Sequence, residues 1–248
     1  MTHGGLFAGR GGFEIGAKAA GIENLWTCEI DEFLHHKLKR IVNNEKAKHY
    51  RDVRFVKNPA WVDIISAGFP CQDISLSNQT GRQGIKGNRS GLWTEVFRIT
   101  DEVKPSYLLL ENSPELLKYG FEYVLRDLSA IGYDAEWDCW RAKDFGYPHN
   151  RRRLYIIAYP NGIGRRKIRN ILQPPGTFEL SQSWTPTTDY LRWMACRSNG
   201  YGGIESIQRG DVVPNFRREI KAFGNAVMPV VAEHLFKCIL EIENQQNR

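Results

Sequence analysis

The stretch Ile65-Ser66-Ala67-Gly68-Phe69-Pro70-Cys71-Gln72-Asp73-Ile74-Ser75 allows few folds. The run Val62 to Ile65, β-branched around a single acid, has the composition of a buried strand. Gly68 and Pro70 stop it abruptly, because proline cannot extend a central ladder and holds the residue before it extended. Cys71 therefore falls just beyond a strand's carboxyl end, in a stiff turn. Ligands of open α/β sheets bind at that edge. A thiol there becomes a nucleophile if its surroundings lower its pKa from ~8.5; burial as a small apolar side chain is the alternative.

The residues before this stretch read as the opening of a nucleotide-binding βαβ unit. Leu6-Phe7-Ala8-Gly9-Arg10-Gly11-Gly12-Phe13 is a strand end followed by a glycine turn. Phe13 to Ala20 reads as a helix that Gly21 stops. Gly9 and Gly11 would let the backbone approach a ligand, and Glu29, at the end of a strand over Trp26 to Ile30, follows Gly9 by 20 residues. That is the offset of an acid that grips a ribose. The third glycine of a dinucleotide fingerprint is missing, which points to an adenosyl ligand without a pyrophosphate and counts against a nicotinamide oxidoreductase. Asp31 is placed to cap a helix through Val42, and Asp52 to sit at the end of a third strand.

Beyond Cys71, residues 76–91 are polar, glycine-bearing and free of acids, with Arg82, Lys86 and Arg89. So long a connection suggests an active-site loop facing phosphates. Leu92 to Val103 reads as a helix, and Pro105 to Leu110 as a strand running into Glu111-Asn112-Ser113-Pro114. A carboxylate ending such an apolar strand loses water, so its pKa should rise and it could serve as an acid; a helix-capping or surface acid is the alternative. Further on, a helix over Phe121 to Ile131 and a strand over Asp134 to Trp140 precede Pro148-His149-Asn150-Arg151-Arg152-Arg153. In extended chain Arg151 and Arg153 share a face, set to reach a base or phosphate, or to pair with acids.

Charge is distributed unevenly. The net charge is +6 overall, and residues 160–222 alone carry +5. From Tyr159 onward Gly, Pro, Asn, Ser and Thr dominate, with Trp184, Tyr190, Trp193 and Tyr201 interspersed. This reads as a small loop-rich domain whose charge suits a polyanionic partner, with a solvated basic loop as the alternative. A helix from about Val230 to Glu243, striped by Leu235, Ile239 and Ile242, should pack back onto the first domain. Five dispersed cysteines without CxxC pairs argue against both a disulfide framework and a zinc site, and no metal is expected. No apolar run approaches a bilayer span and no leader pattern is evident, so the expectation is a cytoplasmic protein without a membrane partner.

FAGRGGF, Glu29, Asp52, GFPCQ, ENS, PHNRRR and GNAVMP stand in the order found in DNA cytosine carbon-5 methyltransferases, which this sequence resembles over most of residues 4–158 and about 209–240. The resemblance implies an α/β fold, a Rossmann-like S-adenosylmethionine-dependent methyltransferase sheet with a small target-recognition domain. The division would be 1–158 catalytic and cofactor-binding, 159–222 target recognition, and 223–248 completing the catalytic domain. Phe7, Gly9, Gly11, Glu29, Ile30, Asp52, Leu92, Asn225 and Val227 match cofactor positions, with Phe7 facing the adenine, Glu29 the ribose hydroxyls and Asp52 the adenine amino group. Cys71, Glu111, Arg151 and Arg153 match the catalytic set. The implied substrate is double-stranded DNA with the target cytosine flipped out, in a bacterial or phage-infected cell; a monomer, with a cognate restriction endonuclease as a potential partner, is the corresponding expectation. The RNA-methylating branch of the family and a DNA-binding protein without catalysis are the rival readings. A recognition segment as long as 159–222 counts against the first, and intact Cys71, Glu111 and Arg153 count against the second.

Overall fold

Strands whose side chains are apolar on both sides can be stable only when helices cover both faces of the sheet. The computed structural model has that arrangement; it describes residues 1–70, 91–147, 150–162 and 226–246. Strands β1 (Thr2–Leu6), β2 (Glu23–Cys28), β3 (Lys48–Tyr50), β4 (Ile64–Ala67), β5 (Tyr107–Asn112), β6 (Tyr133–Arg141) and β7 (Arg152–Pro160) form one sheet in the order β3-β2-β1-β4-β5-β7-β6. The first five are parallel, and β7 runs antiparallel to both β5 and β6. Every residue of β4 and β5 is buried.

Helices α1 (Gly12–Ala19), α2 (Glu32–Val42), α3 (Gly91–Val103), α4 (Phe121–Ala130) and α5 (Pro229–Gln246), with short 3-10 turns at Val53–Phe55, Pro114–Leu117 and Ala142–Phe145, complete the described part. On one face Val96 and Ile99 of α3 and Val124 and Leu128 of α4 meet Ile65, Leu108, Leu110 and Ile156. On the other, Phe13 and Ala17 of α1 and Val231, Leu235, Phe236 and Ile239 of α5 meet Ile64, Leu109 and Ile157. Asp31 caps α2 as its position predicts, accepting from the Phe33 and Leu34 amides at 2.9 and 3.2 Å.

The apolar stripe Leu235, Ile239 and Ile242 is buried, so α5 does pack back onto the sheet. Its close approach to α1 depends on a glycine: a methyl group on Gly16 would lie 2.6 Å from Ala232 Cβ. Gly16→Ala is therefore expected to destabilise the protein by ~1–3 kcal/mol through overpacking, although alanine is the better helix former by ~1 kcal/mol. Urea unfolding measures the sign. At the far end of α5, Tyr107 donates to Glu243 Oε1 at 2.7 Å.

β2 begins earlier than Trp26, at Glu23, because tertiary bonds accommodate its polar start. Asn24 donates through Nδ2 to Glu14 O at 3.0 Å, leaving Oδ1 to accept from His3 Nδ1 at 2.6 Å. His3 Nε2 then accepts from Ser66 Oγ at 2.7 Å. Burial pushes the His3 imidazole down to about 4, which keeps it neutral in this role.

Candidate active site

Strand direction alone brings the key residues to one edge. β1 to β5 are parallel, so Phe7, Glu29, Asp52, Gly68 and Glu111 all lie at or just beyond carboxyl ends. β7 is antiparallel, so it contributes its beginning, Arg151 to Arg153, to the same edge. Strand order reverses between β1 and β4, where open sheets form their ligand crevice.

Gly68 marks where these elements meet. A methyl group there would stand 3.7 Å from Glu111 Oε2, 3.7 Å from Val227 Cγ2 and 4.0 Å from Phe7 O. The turn beyond it is fixed from two sides. Phe69 packs on Trp93 of α3 with ring centroids 5.3 Å apart, and Asn112 Nδ2 donates to Phe69 O at 3.1 Å. Asn112 was not among the expected site residues. Its signal was present in the ENS motif, as a polar residue ending an otherwise apolar strand. Cys71 follows Gly68 by three positions and lies outside the described residues, as do the 76–90 part of the polar loop, Asn225 and nearly all of 159–222.

Glu111 is 6% exposed, and Arg153 Nε lies 3.0 Å from its Oε1 while Arg151 Nη2 is 3.9 Å away. The predicted face-sharing of the two arginines thus delivers both to one buried acid. Arg151 also donates from Nη1 to Ala226 O at 2.6 Å, joining this centre to the segment that leads into α5. Burial raises the Glu111 carboxyl above its ordinary value, as expected for an acid ending an apolar strand, with the two guanidiniums pulling the other way.

At the neighbouring strand ends Glu29 is held rigidly. Its Oε2 accepts from Gly9 N and its Oε1 from Asp31 N, both at 2.8 Å. Burial raises this carboxyl too, and those amide bonds oppose the rise. A methyl group on Gly9, which sits at φ +56°, would meet Phe7 O at 3.8 Å, an ordinary contact, whereas one on Gly11 would meet Leu38 Cδ2 at 3.1 Å. Gly11 therefore also answers to helix packing. Phe7 adopts φ +53° and its side chain packs against the layer under α3 and α4, as does that of Leu92. Ile30 is 63% exposed beside Glu29. Asp52 lies past β3, where Arg54 grips its carboxylate through Nε at 2.9 Å and Nη2 at 2.5 Å, holding its pKa below the usual range.

The sequence pattern described as C-5 cytosine-specific DNA methylase matches residues 1–190. The chain belongs to that family. Among curated relatives, the type II methyltransferase M2.BsuMI of Bacillus subtilis is 32% identical over 161 residues, which are 62% of this chain and 40% of the relative. The type II methyltransferase M.HhaI of Haemophilus parahaemolyticus is 29% identical over 180 residues, 71% of this chain and 53% of that one. The chain thus spans about half the length of these relatives, or less. The solved structure of S. pombe Dnmt2 methyltransferase superimposes with a TM-score of 0.63 at 15% identity, covering 98% of this chain and 99% of that one. That likeness establishes the α/β methyltransferase fold expected of a C-5 methylase. No described helix is long and apolar enough to cross a membrane.

Proposed function

We propose that this protein transfers a methyl group to carbon 5 of a flipped cytosine within a specific DNA sequence, through a transient covalent bond to Cys71. The observation that carries this reading is buried Glu111 paired with Arg153, 3.0 Å apart, beside Gly68 on the turn that leads to Cys71. Residues 1–158 and 223–248 would form the catalytic domain, and the basic, aromatic-bearing segment 159–222 would choose the site. A duplex hides the reacting atoms of the base, so the cytosine must leave the stack.

Carbon 5 of cytosine is a weak nucleophile. Addition of the Cys71 thiolate to carbon 6 makes carbon 5 electron-rich, while Glu111 donates its proton to ring nitrogen 3. Burial suits Glu111 to this role, because it favours the protonated form. Arg153 and Arg151 then stabilise the carboxylate left behind, and Arg153 would bind the exocyclic oxygen. After methylation a base removes the carbon 5 proton, which restores the ring and expels the thiolate, while ring nitrogen 3 returns its proton to Glu111.

S-adenosylmethionine supplies the methyl group. The amide-fixed carboxylate of Glu29, the side-chain-free backbone at Gly9 and exposed Ile30 fit an adenosyl ligand. Phe7, Gly11, Asp52, Leu92, Asn225 and Val227 would complete its site, Asp52 through whatever valence Arg54 leaves. The adenosyl ligand is expected to raise the thermal midpoint of the protein and NAD to leave it unchanged, with Glu29→Ala losing most of the shift. An equal response to NAD would overturn the assignment. Methyl transfer itself is tested by bisulfite sequencing of DNA from cells expressing the protein: protected cytosines at one recurrent site are expected, and uniform conversion would refute the proposal.

A further inference from the structure

Tyr155 is a residue that neither the motifs nor the proposed chemistry uses. It lies in β7 directly opposite Glu111 of β5. Residues so paired in an antiparallel ladder project to the same face with Cβ atoms ~5 Å apart. That face is the one covered by α1 and α5, since Tyr155 packs there with Leu109, Trp140 and Phe145. The ring is fixed by Trp140, 5.4 Å away between centroids and inclined at 37°. Tyr155 is 1% exposed, and its hydroxyl has no hydrogen-bond partner among the described residues. A buried hydroxyl left unpaired is costly, and its neighbour across the ladder is the buried acid.

Resting on the proposed acid role of Glu111, we infer that the Tyr155 hydroxyl is a positioning residue for that acid, donating a hydrogen bond to the Glu111 carboxylate once its proton has moved to the base. No covalent bond changes at Tyr155; its O–H is retained and only the hydrogen bond forms. Such a bond to a charged acceptor is among the stronger ones, and it favours the ionised acid. The charged groups around the pair are Arg151 and Arg153 from the β7 side, with His234 of α5 beyond Trp140, its ring centroid 5.9 Å from that indole. The field of Glu111 reaches Tyr155, since together with burial it raises the phenol's pKa.

The test compares wild type, Tyr155→Phe and Glu111→Gln. The carbonyl stretch of the protonated Glu111 carboxyl, identified by its loss in Glu111→Gln, is followed against pH by difference infrared spectroscopy. In Tyr155→Phe the carboxyl is expected to titrate ~1 pH unit higher, since a bond favouring its ionised form is gone. The basic limb of kcat should move the same way, with kcat at neutral pH ~10-fold lower and KM for DNA unchanged. A purely structural hydroxyl would change the melting temperature and leave both titrations where they were, which would overturn the inference. If Tyr155→Phe does not fold, wild type answers with 13C-labelled tyrosine: one ζ-carbon resonance should follow the Glu111 titration and stop doing so in Glu111→Gln, and no such resonance would refute the coupling. A shifted carboxyl titration without methyl transfer by wild type would sink the proposed function and leave the coupling standing. Active wild type with an unshifted titration would do the reverse.

Discussion

Glu111→Gln is expected to slow methyl transfer by ~10²- to 10⁴-fold, the usual worth of a positioned general acid. Glutamine keeps the shape but has no proton to give to ring nitrogen 3. The loss should fall on kcat, because binding of the flipped base uses other groups. Wild type should itself lose activity as pH rises through the elevated pKa of Glu111, where the acid form disappears. The variant should lack that limb. Removing the carboxylate also leaves Arg153 and Arg151, 25% and 8% exposed as side chains, without their acid. A melting curve is therefore needed alongside the rates, and a folded variant retaining wild-type kcat would remove Glu111 from the chemistry.

The second large effect concerns stability. Glu14 of α1 is 1% exposed, both of its carboxylate oxygens lack a hydrogen-bond partner among the described residues, and it fills the space over Gly5 near His3. Burial pushes its carboxyl from about 4.5 up to about 8, and the nearby charge of Glu29 adds to the rise. The folded protein therefore holds a proton that the unfolded chain releases. Its stability is intact below pH 4.5, falls as pH rises toward 8, and is then level. Across that window the group costs on the order of 5 kcal/mol. Glu14→Gln should abolish this slope: slightly less stable than wild type at pH 5, and more stable by several kcal/mol at pH 9. Urea unfolding at the two pH values checks it. Parallel pH dependence in the two proteins would mean that Glu14 is solvated or paired in solution.

The edge that carries the site could be read from sequence because its signals are local. Pro70 and Gly68 end β4, Asp31 caps α2, and the apolar run before Glu111 fixes both the burial of that acid and the direction of its shift. The stripe Leu235, Ile239 and Ile242 likewise announced which face of α5 is covered. What sequence could not supply were partnerships across the sheet. Nothing local says that Arg153 meets Glu111, that Asn112 ties down Phe69 O, or that Tyr155 stands opposite Glu111, since these depend on β7 inserting between β5 and β6. The polar start of β2 was missed for the same reason: Asn24 belongs in a strand only because His3 and Glu14 O meet it there. Gly16, read simply as a helix residue, owes its identity to Ala232 across the helix pair.

The covalent step is the centre of the account, and it can be trapped. Removal of the carbon 5 proton normally releases Cys71; fluorine at that position cannot leave as a proton, so the bond persists. Duplex DNA carrying 5-fluorocytosine at the site found by bisulfite sequencing, incubated with the protein and S-adenosylmethionine, should give a complex that survives denaturing electrophoresis. Cys71→Ala should give none and should not methylate unmodified DNA, while still shifting it in a native gel. Undiminished methylation by Cys71→Ala, or a complex attached through another cysteine, would contradict the mechanism.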